Sequence, residues 1–430
     1  MRYEQIDKSL FIKNRKNFTE KMKASSLGVF NANDIYPIGA DSTMPFQQNR
    51  DLFYLSGVDQ EEAILVLFPD APKPEHREML FLTETNPHIA VWEGEKLTKD
   101  KAFEVSGIKT VYWLQEFEKI FFEVMSQCDT IYFNTNEHYR ANVQTETRDE
   151  RFIKKTKEKY PAHQVAKSNP ILQRLRSVKD PIELDLMQKA CDITEKSFRR
   201  ALKFTKPGVW EHEIEAEYWH EMIRNRSRGF AYTPIIASGN NANVLHYTEN
   251  NQQCKAGDLI LIDTGAEYAN YSSDMTRTIP VSGKYSERQK EVYNAVNRVK
   301  KEATKWLVPG TIWAEYHKEV GKLMTSELLD LGLLDKADVQ NEDPNWPAYK
   351  KYFMHGTAHN IGLDTHDYGI LTEPMKANQV FTVEPGIYLP DEGFGIRLED
   401  DVVIQKNGEP FNLMRNIPIE IEEIEEIMNS

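Results

Sequence analysis

Cysteine is scarce in this 430-residue sequence, which contains three: Cys128, Cys191 and Cys254. They are odd in number, far apart and form no C-x-x-C pair, which argues against a disulfide framework and a zinc–thiolate site. Positive charge is also in short supply, because 53 lysines and arginines against 67 aspartates and glutamates give a formal net charge of −14. A surface with that charge disfavours both nucleic acid and anionic membranes as partners.

Long apolar runs are absent as well. No stretch approaches the ~20 consecutive apolar residues that a membrane-spanning helix needs. The N-terminal stretch, MRYEQIDKSLFIKNRKNF, lacks the apolar segment of a secretion signal. We therefore expect a cytoplasmic protein with reduced thiols, long enough for two domains.

Two acidic residues frame a turn in residues 259–278, LILIDTGAEYANYSSDMTRT. An apolar run leads to Asp263, and Asp274 follows after turn-type sequence. A β-hairpin centred between Tyr268 and Ala269 would place the two carboxylates opposite each other, about 5 Å apart. Two ionised carboxylates that close, on so apolar a strand, need a proton or a metal ion to offset repulsion and lost hydration. Two unrelated acids at strand ends explain this stretch equally well.

A second segment, residues 380–404, repeats the arrangement in VFTVEPGIYLPDEGFGIRLEDDVVI. Glu384 and Glu399 lie on either side of PDEG, a strong turn signal. The centre of this predicted hairpin falls between Asp391 and Glu392. Chance produces one hairpin with symmetric acids easily and two much less often, so the pair favours a functional site.

The helices before the two hairpins also repeat in the same order. Asp180 with Glu183 predicts a capped helix start, and Ser286 with Gln289 predicts a second one. Each of these helices ends at a Pro-Gly pair and is followed by another helix, WEHEIEAEYWHEMIRN or TIWAEYHKEVGKLM. We infer an internal duplication with a pseudo-two-fold axis between the hairpins, which would bring all four acids to one centre.

Residues 211–221 contain fragments of a zinc-protease helix, Glu211-His212-Glu213 and His220-Glu221. An H-E-x-x-H motif would need histidine at position 216, where Ala216 stands. We therefore interpret these residues as a solvated helix face.

Histidines cluster just before the second acidic hairpin. HGTAHNIGLDTHD holds His355, His359 and His366, and His246 follows the loop SGNNAN. A single such histidine is more often a hydrogen-bonded structural residue, but three this close favour a site. Four carboxylates and one imidazole suit hard or borderline cations such as Mn²⁺, Co²⁺ or Zn²⁺. Two divalent ions offset four negative charges, which is typical of a two-metal hydrolase.

These motifs resemble the metallopeptidase family that contains aminopeptidase P, prolidase and methionine aminopeptidase. The ligand order of that family, D…D…H…E…E, is filled here by Asp263, Asp274, His359, Glu384 and Glu399. The resemblance implies an α/β (α+β) protein in which a creatinase-type N-terminal domain, residues 1–171, precedes a pseudo-two-fold pita-bread catalytic domain, residues 172–430. GADSTMPFQQNRDLFYLSG resembles the N-terminal domain of aminopeptidase P, which methionine aminopeptidase usually lacks.

The resemblance further implies a metal-dependent Xaa-Pro aminopeptidase, which releases the N-terminal residue from peptides with proline second. Asp263 would hold one of two divalent ions, with Mn²⁺ expected before Co²⁺ or Zn²⁺. Asp274 and Glu399 would bridge both ions, and His359 and Glu384 would complete the other. Glu384 would also serve as general base. The remaining site residues would be His246 near the leaving nitrogen, His355 beside the proline, His366 near the oxyanion, and Arg397 orienting a ligand carboxylate or the substrate.

Two alternatives stay open: a prolidase, which cuts only Xaa-Pro dipeptides, and a non-catalytic peptide-binding protein on the same fold. The resemblance also implies a homodimer or homotetramer, in which Asp41 and Trp92 help to bound the site or the contact between subunits. A tryptophan in the domain core explains Trp92 equally well.

Overall fold

The computed structural model describes residues 3–430, apart from the side chain of Glu93. Within this range the chain forms two compact units, Tyr3–Arg176 and Ser177–Ser430. The domain bounds 1–171 and 172–430 stay a prediction, and residues 1 and 2 lie outside the described part. No helix of residues 3–430 combines the length and apolar character needed to cross a lipid bilayer.

A six-stranded mixed sheet organises the N-terminal unit. Its strands are β1 Ser26–Asn31, β2 Ile64–Leu67, β3 Glu78–Leu82, β4 Thr110–Trp113, β5 Thr130–Phe133 and β6 Gln164–Lys167. They lie in the order β4-β3-β2-β1-β5-β6, with β1 antiparallel to β2 and parallel to β5. Because every residue of β1, β2 and β5 is buried, these strands are rich in apolar residues on both faces.

Seven α-helices accompany this sheet in the described chain. They are α1 Ser9–Thr19, α2 Arg50–Ser56, α3 Pro87–Glu93, α4 Lys99–Ser106, α5 Phe117–Met125, α6 Arg148–Lys159 and α7 Asn169–Ser177. Aromatic rings fill the core beneath α5, where Phe117 stacks on Phe121 and meets Phe81 edge-on. Trp92 on α3 is 82% exposed and Asp41 is also exposed, so Trp92 is not a core residue of this unit.

The repeated helix pairs are present in the C-terminal unit. Helix α8, Pro181–Phe204, starts at a capping box of Asp180 and Glu183, and α10, Glu287–Lys305, starts at one of Ser286 and Gln289. Each box satisfies backbone N–H groups that the first helical turn leaves without partners. The other helices are α9 Glu211–Arg224, α11 Trp313–Asp330, α12 Lys336–Gln340 and α13 Ile421–Met428.

Short antiparallel strands carry the acidic residues. The strands before the first turn are β7 Gly229–Phe230, β8 Ile235–Ser238, β9 Leu259–Thr264 and β10 Ala266–Tyr268, and after it come β11 Tyr271–Ser272 and β12 Met275–Pro280. The second set is β13 Val380–Val383, β14 Gly386–Leu389, β15 Phe394–Arg397, β16 Asp400–Val403 and β17 Phe411–Asn412. Strand β9 lies between β8 and β12, and β16 lies between β13 and β17.

The first hairpin turns one residue later than predicted. Its turn residues are Ala269 and Asn270, whose φ angles are +53° and +69°. Asp263 therefore pairs with Thr276, so the prediction that it directly faces Asp274 is wrong. Because alternate residues of a strand share a face, Asp263 and Asp274 are instead diagonal neighbours on one face, which long side chains still span.

The second hairpin has the predicted register. Val383 pairs with Asp400 and Gly386 pairs with Arg397, which places Glu384 opposite Glu399. Gly393 closes the turn with a φ of +77°, a backbone conformation that favours glycine.

Backbone and side-chain hydrogen bonds join the two hairpins. The amide of Glu399 donates to the carbonyl of Thr276 at 3.0 Å, and the amide of Arg397 donates to the hydroxyl of Thr278 at 3.2 Å. Beside this junction Arg277, fully buried, donates to the carboxylate of Asp400 at 2.6 Å. The two halves therefore place their acidic residues around one centre.

Candidate active site

Three of the predicted metal ligands form a compact donor cluster. Asp274, His359 and Glu399 are buried and each offers an atom within 4.8 Å of the others. The Nε2 atom of His359 lies 3.4 Å from Oδ2 of Asp274 and 3.7 Å from Oε1 of Glu384. The two hairpins and the HGTAH loop thus bring four of the five predicted ligands to one point.

The fifth predicted ligand, Asp263, joins the cluster through a tyrosine. The hydroxyl of Tyr232 donates to Oδ1 of Asp263 at 2.6 Å and also contacts Asp274. The other oxygen of Asp263 accepts a hydrogen bond from Arg397. Arg397 also donates from Nε to the hydroxyl of Thr276, which itself donates to the carboxylate of Glu399. Asp263 is therefore held between a hydroxyl and a guanidinium.

Burial raises the pKa values of Asp274, Glu384 and Glu399. The pKa of Asp274 is well above its usual value because of burial and the neighbouring Asp263. Burial, followed by the charges of Asp274 and Glu384, does the same to Glu399. Burial raises the pKa of Glu384 to about 7. Such a concentration of buried negative charge calls for protons or a cation, and carboxylate with imidazole is a donor set that fits divalent metal ions.

The imidazole of His359 is oriented for metal binding. Its Nδ1 lies 3.0 Å from the carbonyl oxygen of Asn360, which can only accept, so Nδ1 carries the proton. Its Nε2 therefore presents a lone pair toward the carboxylates. A hydrogen bond from the far ring nitrogen is how proteins fix the tautomer of a metal-binding histidine.

His355 belongs to a hydrogen-bonded chain on the other side of the site. Its Nδ1 lies 2.8 Å from the carbonyl oxygen of Gly356, and its Nε2 lies 2.7 Å from the hydroxyl of Tyr388. Tyr388 accepts from Arg397 at 2.8 Å and can donate to His355. Burial lowers the pKa of His355 to about 3, so this imidazole is neutral at pH 7.

The other two predicted histidines are exposed. His366 stands edge-on to His359, with ring centroids 4.5 Å apart. His246 lies in the loop between β8 and β9, and its charge would lower the pKa of His355. Both imidazoles are accessible from solvent, whereas Asp263, Asp274, His359 and Glu399 are buried and Glu384 is partly buried.

Two tyrosines at this site were not identified from the sequence. Tyr388 lies four residues after Glu384, and strand alternation places it on the same face, a signal that the hairpin pattern already contained. Tyr232 lies about thirty residues before Asp263, and no spacing connects it to the acidic hairpins.

The interpretation of residues 211–221 as a solvated helix face is wrong for Glu211. His212, Glu213 and His220 are exposed, but Glu211 is fully buried. Its carboxylate accepts five hydrogen bonds from residues 238–252. Glu211 therefore supports the loop that carries His246.

Comparison with known proteins identifies the class. Residues 185–406 match the model of metallopeptidase family M24, and residues 11–132 match the model of the aminopeptidase P N-terminal domain. The chain belongs to metallopeptidase family M24. It is a metal-dependent hydrolase in which an aminopeptidase P-type N-terminal domain precedes a pita-bread catalytic domain.

Named relatives resemble this chain over at least 92% of its length. The Xaa-Pro aminopeptidase of Escherichia coli (strain K12) is 33% identical over 437 aligned residues, which cover 99% of this chain and 98% of the relative. Human Xaa-Pro aminopeptidase 3 is 31% identical over 92% of this chain and 79% of its own. Among solved structures, Pseudomonas aeruginosa aminopeptidase PepP superposes with a TM-score of 0.88 at 29% identity, covering 99% and 98% of the two chains. Zinc-substituted E. coli aminopeptidase P in complex with product gives 0.86 at 30% identity, covering 99% of each chain.

Proposed function

We propose that this protein is a dinuclear-metal aminopeptidase that releases the N-terminal residue from peptides with proline at the second position. The observation that carries the proposal is the convergence of Asp274, His359, Glu384 and Glu399, with Asp263 tied to them through Tyr232. The named relatives, which are Xaa-Pro aminopeptidases, supply the substrate class.

The proposed ligand assignment follows the ligand order of the family, D…D…H…E…E, which these side chains fill. Asp263 would hold one ion, His359 and Glu384 would hold the second, and Asp274 and Glu399 would be shared between the two. Mn²⁺ is the first candidate and Co²⁺ or Zn²⁺ are the alternatives, since all three accept carboxylate and imidazole ligands. When bound, such ions bring the pKa of a water molecule to about 7 and so supply hydroxide at neutral pH.

The remaining side chains have separate tasks in this proposal. Glu384 is the proposed general base, which takes a proton from the attacking water. Arg397 orients Asp263. Neutral His355 lies beside the proline ring, His246 near the leaving nitrogen and His366 near the oxyanion.

The contacts of Arg397 bear on the choice between aminopeptidase and prolidase. A dipeptidase has to capture the free carboxylate of the second residue, and a buried cation such as Arg397 could do so. Its guanidinium instead contacts Asp263, Thr276 and Tyr388. Because these partners already engage the cation, the structure favours the aminopeptidase.

Assembly and location complete the proposal. We propose a homodimer or homotetramer that forms through the N-terminal domain, residues 1–171, where Trp92, Tyr139 and Ile38 are 82%, 69% and 65% exposed. Exposed apolar side chains mark a contact surface where they form a continuous patch. Light scattering on purified protein measures the state directly, and a monomer at micromolar concentration would contradict it. We propose a cytoplasmic location, which cell fractionation tests.

A peptide series tests the function. Metal-free protein receives Mn²⁺, Co²⁺ or Zn²⁺ in turn and is offered Gly-Pro, Xaa-Pro-Yaa and Xaa-Ala-Yaa peptides. We expect release of the first residue from Xaa-Pro-Yaa, with little cleavage of Gly-Pro or of the alanine peptide. Preferred cleavage of Gly-Pro would make the protein a prolidase. Peptide binding without cleavage under every metal would make it a binding protein.

A further inference from the structure

The buried carboxylate of Glu211 holds both ends of the loop that carries His246. This loop, residues 239–252, leaves strand β8 and is called the His246 loop below. One carboxylate oxygen, Oε1, accepts from the amide and the hydroxyl of Ser238 at 2.8 and 2.7 Å and from the side chain of Asn241 at 3.2 Å. The other, Oε2, accepts from the hydroxyl of Tyr247 at 2.7 Å and from the amide of Gln252 at 2.9 Å.

The loop has one further polar anchor near its return. The side chain of Asn250, buried and with a φ of +44°, accepts from the amide of Ile236 at 3.0 Å and donates to Glu215 on α9 at 2.9 Å. Tyr247 packs beside a small apolar cluster that includes Tyr388. His246, directly before Tyr247, is exposed, so its position depends on how its neighbours are held.

All five partners of Glu211 donate, and three of them, the amides of Ser238 and Gln252 and the side-chain amide of Asn241, have no lone pair to offer in return. A carboxylate is an acceptor at both oxygens, and hydrogen bonds to a charged acceptor are about twice as strong as neutral ones. An amide in its place would point an N–H group at the N–H of Ser238 or of Gln252. Glutamine therefore fits the space at this position but not the hydrogen bonding.

We propose that Glu211 is a positioning residue for the peptidase reaction: its carboxylate fixes the conformation of the His246 loop and thereby holds the His246 imidazole near Tyr388, against whose cluster the flanking Leu245 and Tyr247 pack. This inference rests on the proposed function, in which His246 contacts the substrate. Helix α9 does not contain the H-E-x-x-H motif, but through Glu211 it would still contribute to the reaction.

The test compares Glu211→Gln with Glu213→Gln in the metal-loaded enzyme. Both changes replace a carboxylate by an amide on the same helix, but Glu213 is exposed. We expect Glu211→Gln to lower kcat/KM by roughly 10- to 100-fold, the scale of a small misplacement of a reacting group. Amide hydrogen exchange should rise in the His246 loop of Glu211→Gln and remain unchanged in Glu213→Gln.

Combination with His246→Ala separates positioning from a general structural effect. If Glu211 acts through His246, both single variants change kcat and KM in the same ratio, and the double variant is no worse than His246→Ala. Losses that multiply, or exchange in the loop that matches wild type, would overturn the proposal. Tyr247→Phe, which deletes one of the five donors, gives the same comparison with a smaller loss should Glu211→Gln not fold.

The outcome also separates this proposal from the function on which it rests. Failure of the wild-type enzyme to release any residue from Xaa-Pro-Yaa rejects the proposed function. An active wild-type enzyme whose Glu211→Gln variant keeps full kcat/KM rejects the role of Glu211 alone.

Discussion

Arg397 and Asp263 form a buried ion pair that joins strand β15 of the second hairpin to strand β9 of the first. The same guanidinium donates to Tyr388 at 2.8 Å and to Thr276 at 3.2 Å. Loss of one partner of a buried pair leaves an uncompensated charge, which costs several kcal/mol. This ion pair therefore holds Asp263, a candidate metal ligand of the first hairpin, through a side chain of the second hairpin.

Replacement of Arg397 tests this relation. We expect Arg397→Met to lower kcat/KM by about 10- to 100-fold or more, the usual effect of losing a residue that orients a metal ligand. Arg288→Met is the matched control, because Arg288 pairs with Glu392 in a half-exposed position. Steady-state kinetics with an Xaa-Pro-Yaa peptide measures both. If kcat/KM of Arg397→Met is within twofold of wild type, the ion pair has a structural role only.

Replacement of Glu384 separates its two proposed tasks. We expect Glu384→Gln to lose about 10²- to 10⁴-fold in kcat, the range for removal of a general base. Elemental analysis of the same sample measures how much metal the variant keeps. Undiminished turnover at full metal occupancy contradicts the assignment of Glu384 as base.

Removal of one cluster carboxylate should stabilise the metal-free protein. The folded pKa of Asp274 is raised by burial and by Asp263, so its favourable contribution is present at low pH and is lost as pH rises. At pH 8 the metal-free Asp274→Asn variant should therefore resist urea better than metal-free wild type, because asparagine brings no charge into the buried cluster. In the presence of Mn²⁺ the order should reverse, since metal that binds the folded state stabilises it. Equal stability of the two metal-free proteins at pH 8 is the contrary result.

A part of the site can be predicted from the sequence when the residues that determine its geometry lie close together along the chain. The register of the second hairpin was predictable because Pro390 and Gly393 define its turn locally. In the first hairpin the turn uses Ala269 at positive φ, which alanine rarely adopts, so the centre was placed one residue early. The environment of Glu211 was not predictable, because a loop that follows about thirty residues later buries it.

Tyr232 illustrates the remaining limit. Its hydroxyl meets Asp263 and Asp274 only because β8 and the segment before it pack beside β9. That proximity comes from sheet order, which side-chain spacing along the chain does not encode. The acidic ligands, by contrast, lie within two hairpins, where the strand period alone fixes the face.

A buried glutamate away from the metal site predicts a pH-dependent stability. Burial raises the pKa of Glu183 to about 7, from 4.5, while its carboxylate accepts from the amide of Asp180 and the hydroxyl of Tyr271. Because the pKa of Glu183 is higher in the folded than in the unfolded protein, its contribution to the free energy of unfolding is full below pH 4.5. This contribution is lost as pH rises through 7. At about 1.4 kcal/mol per pKa unit, Glu183 should account for about 3 kcal/mol of the stability that wild type loses over this window.

Glutamine at position 183 should remove that dependence. An amide can accept from Asp180 and donate to Tyr271, so Glu183→Gln keeps both hydrogen bonds. Urea unfolding of metal-free protein between pH 5 and pH 8 gives the comparison, with exposed Asp185 as the control in Asp185→Asn. An unchanged pH slope in Glu183→Gln would show that burial of Glu183 does not control it.

The most direct test of the central claim is a titration of metal-free protein with Mn²⁺ while release of the N-terminal residue from an Xaa-Pro-Yaa peptide is followed. We expect no release without metal and a plateau of activity at two ions per chain. Activity in the metal-free protein, or no activity at any Mn²⁺ concentration although two ions bind, would contradict it.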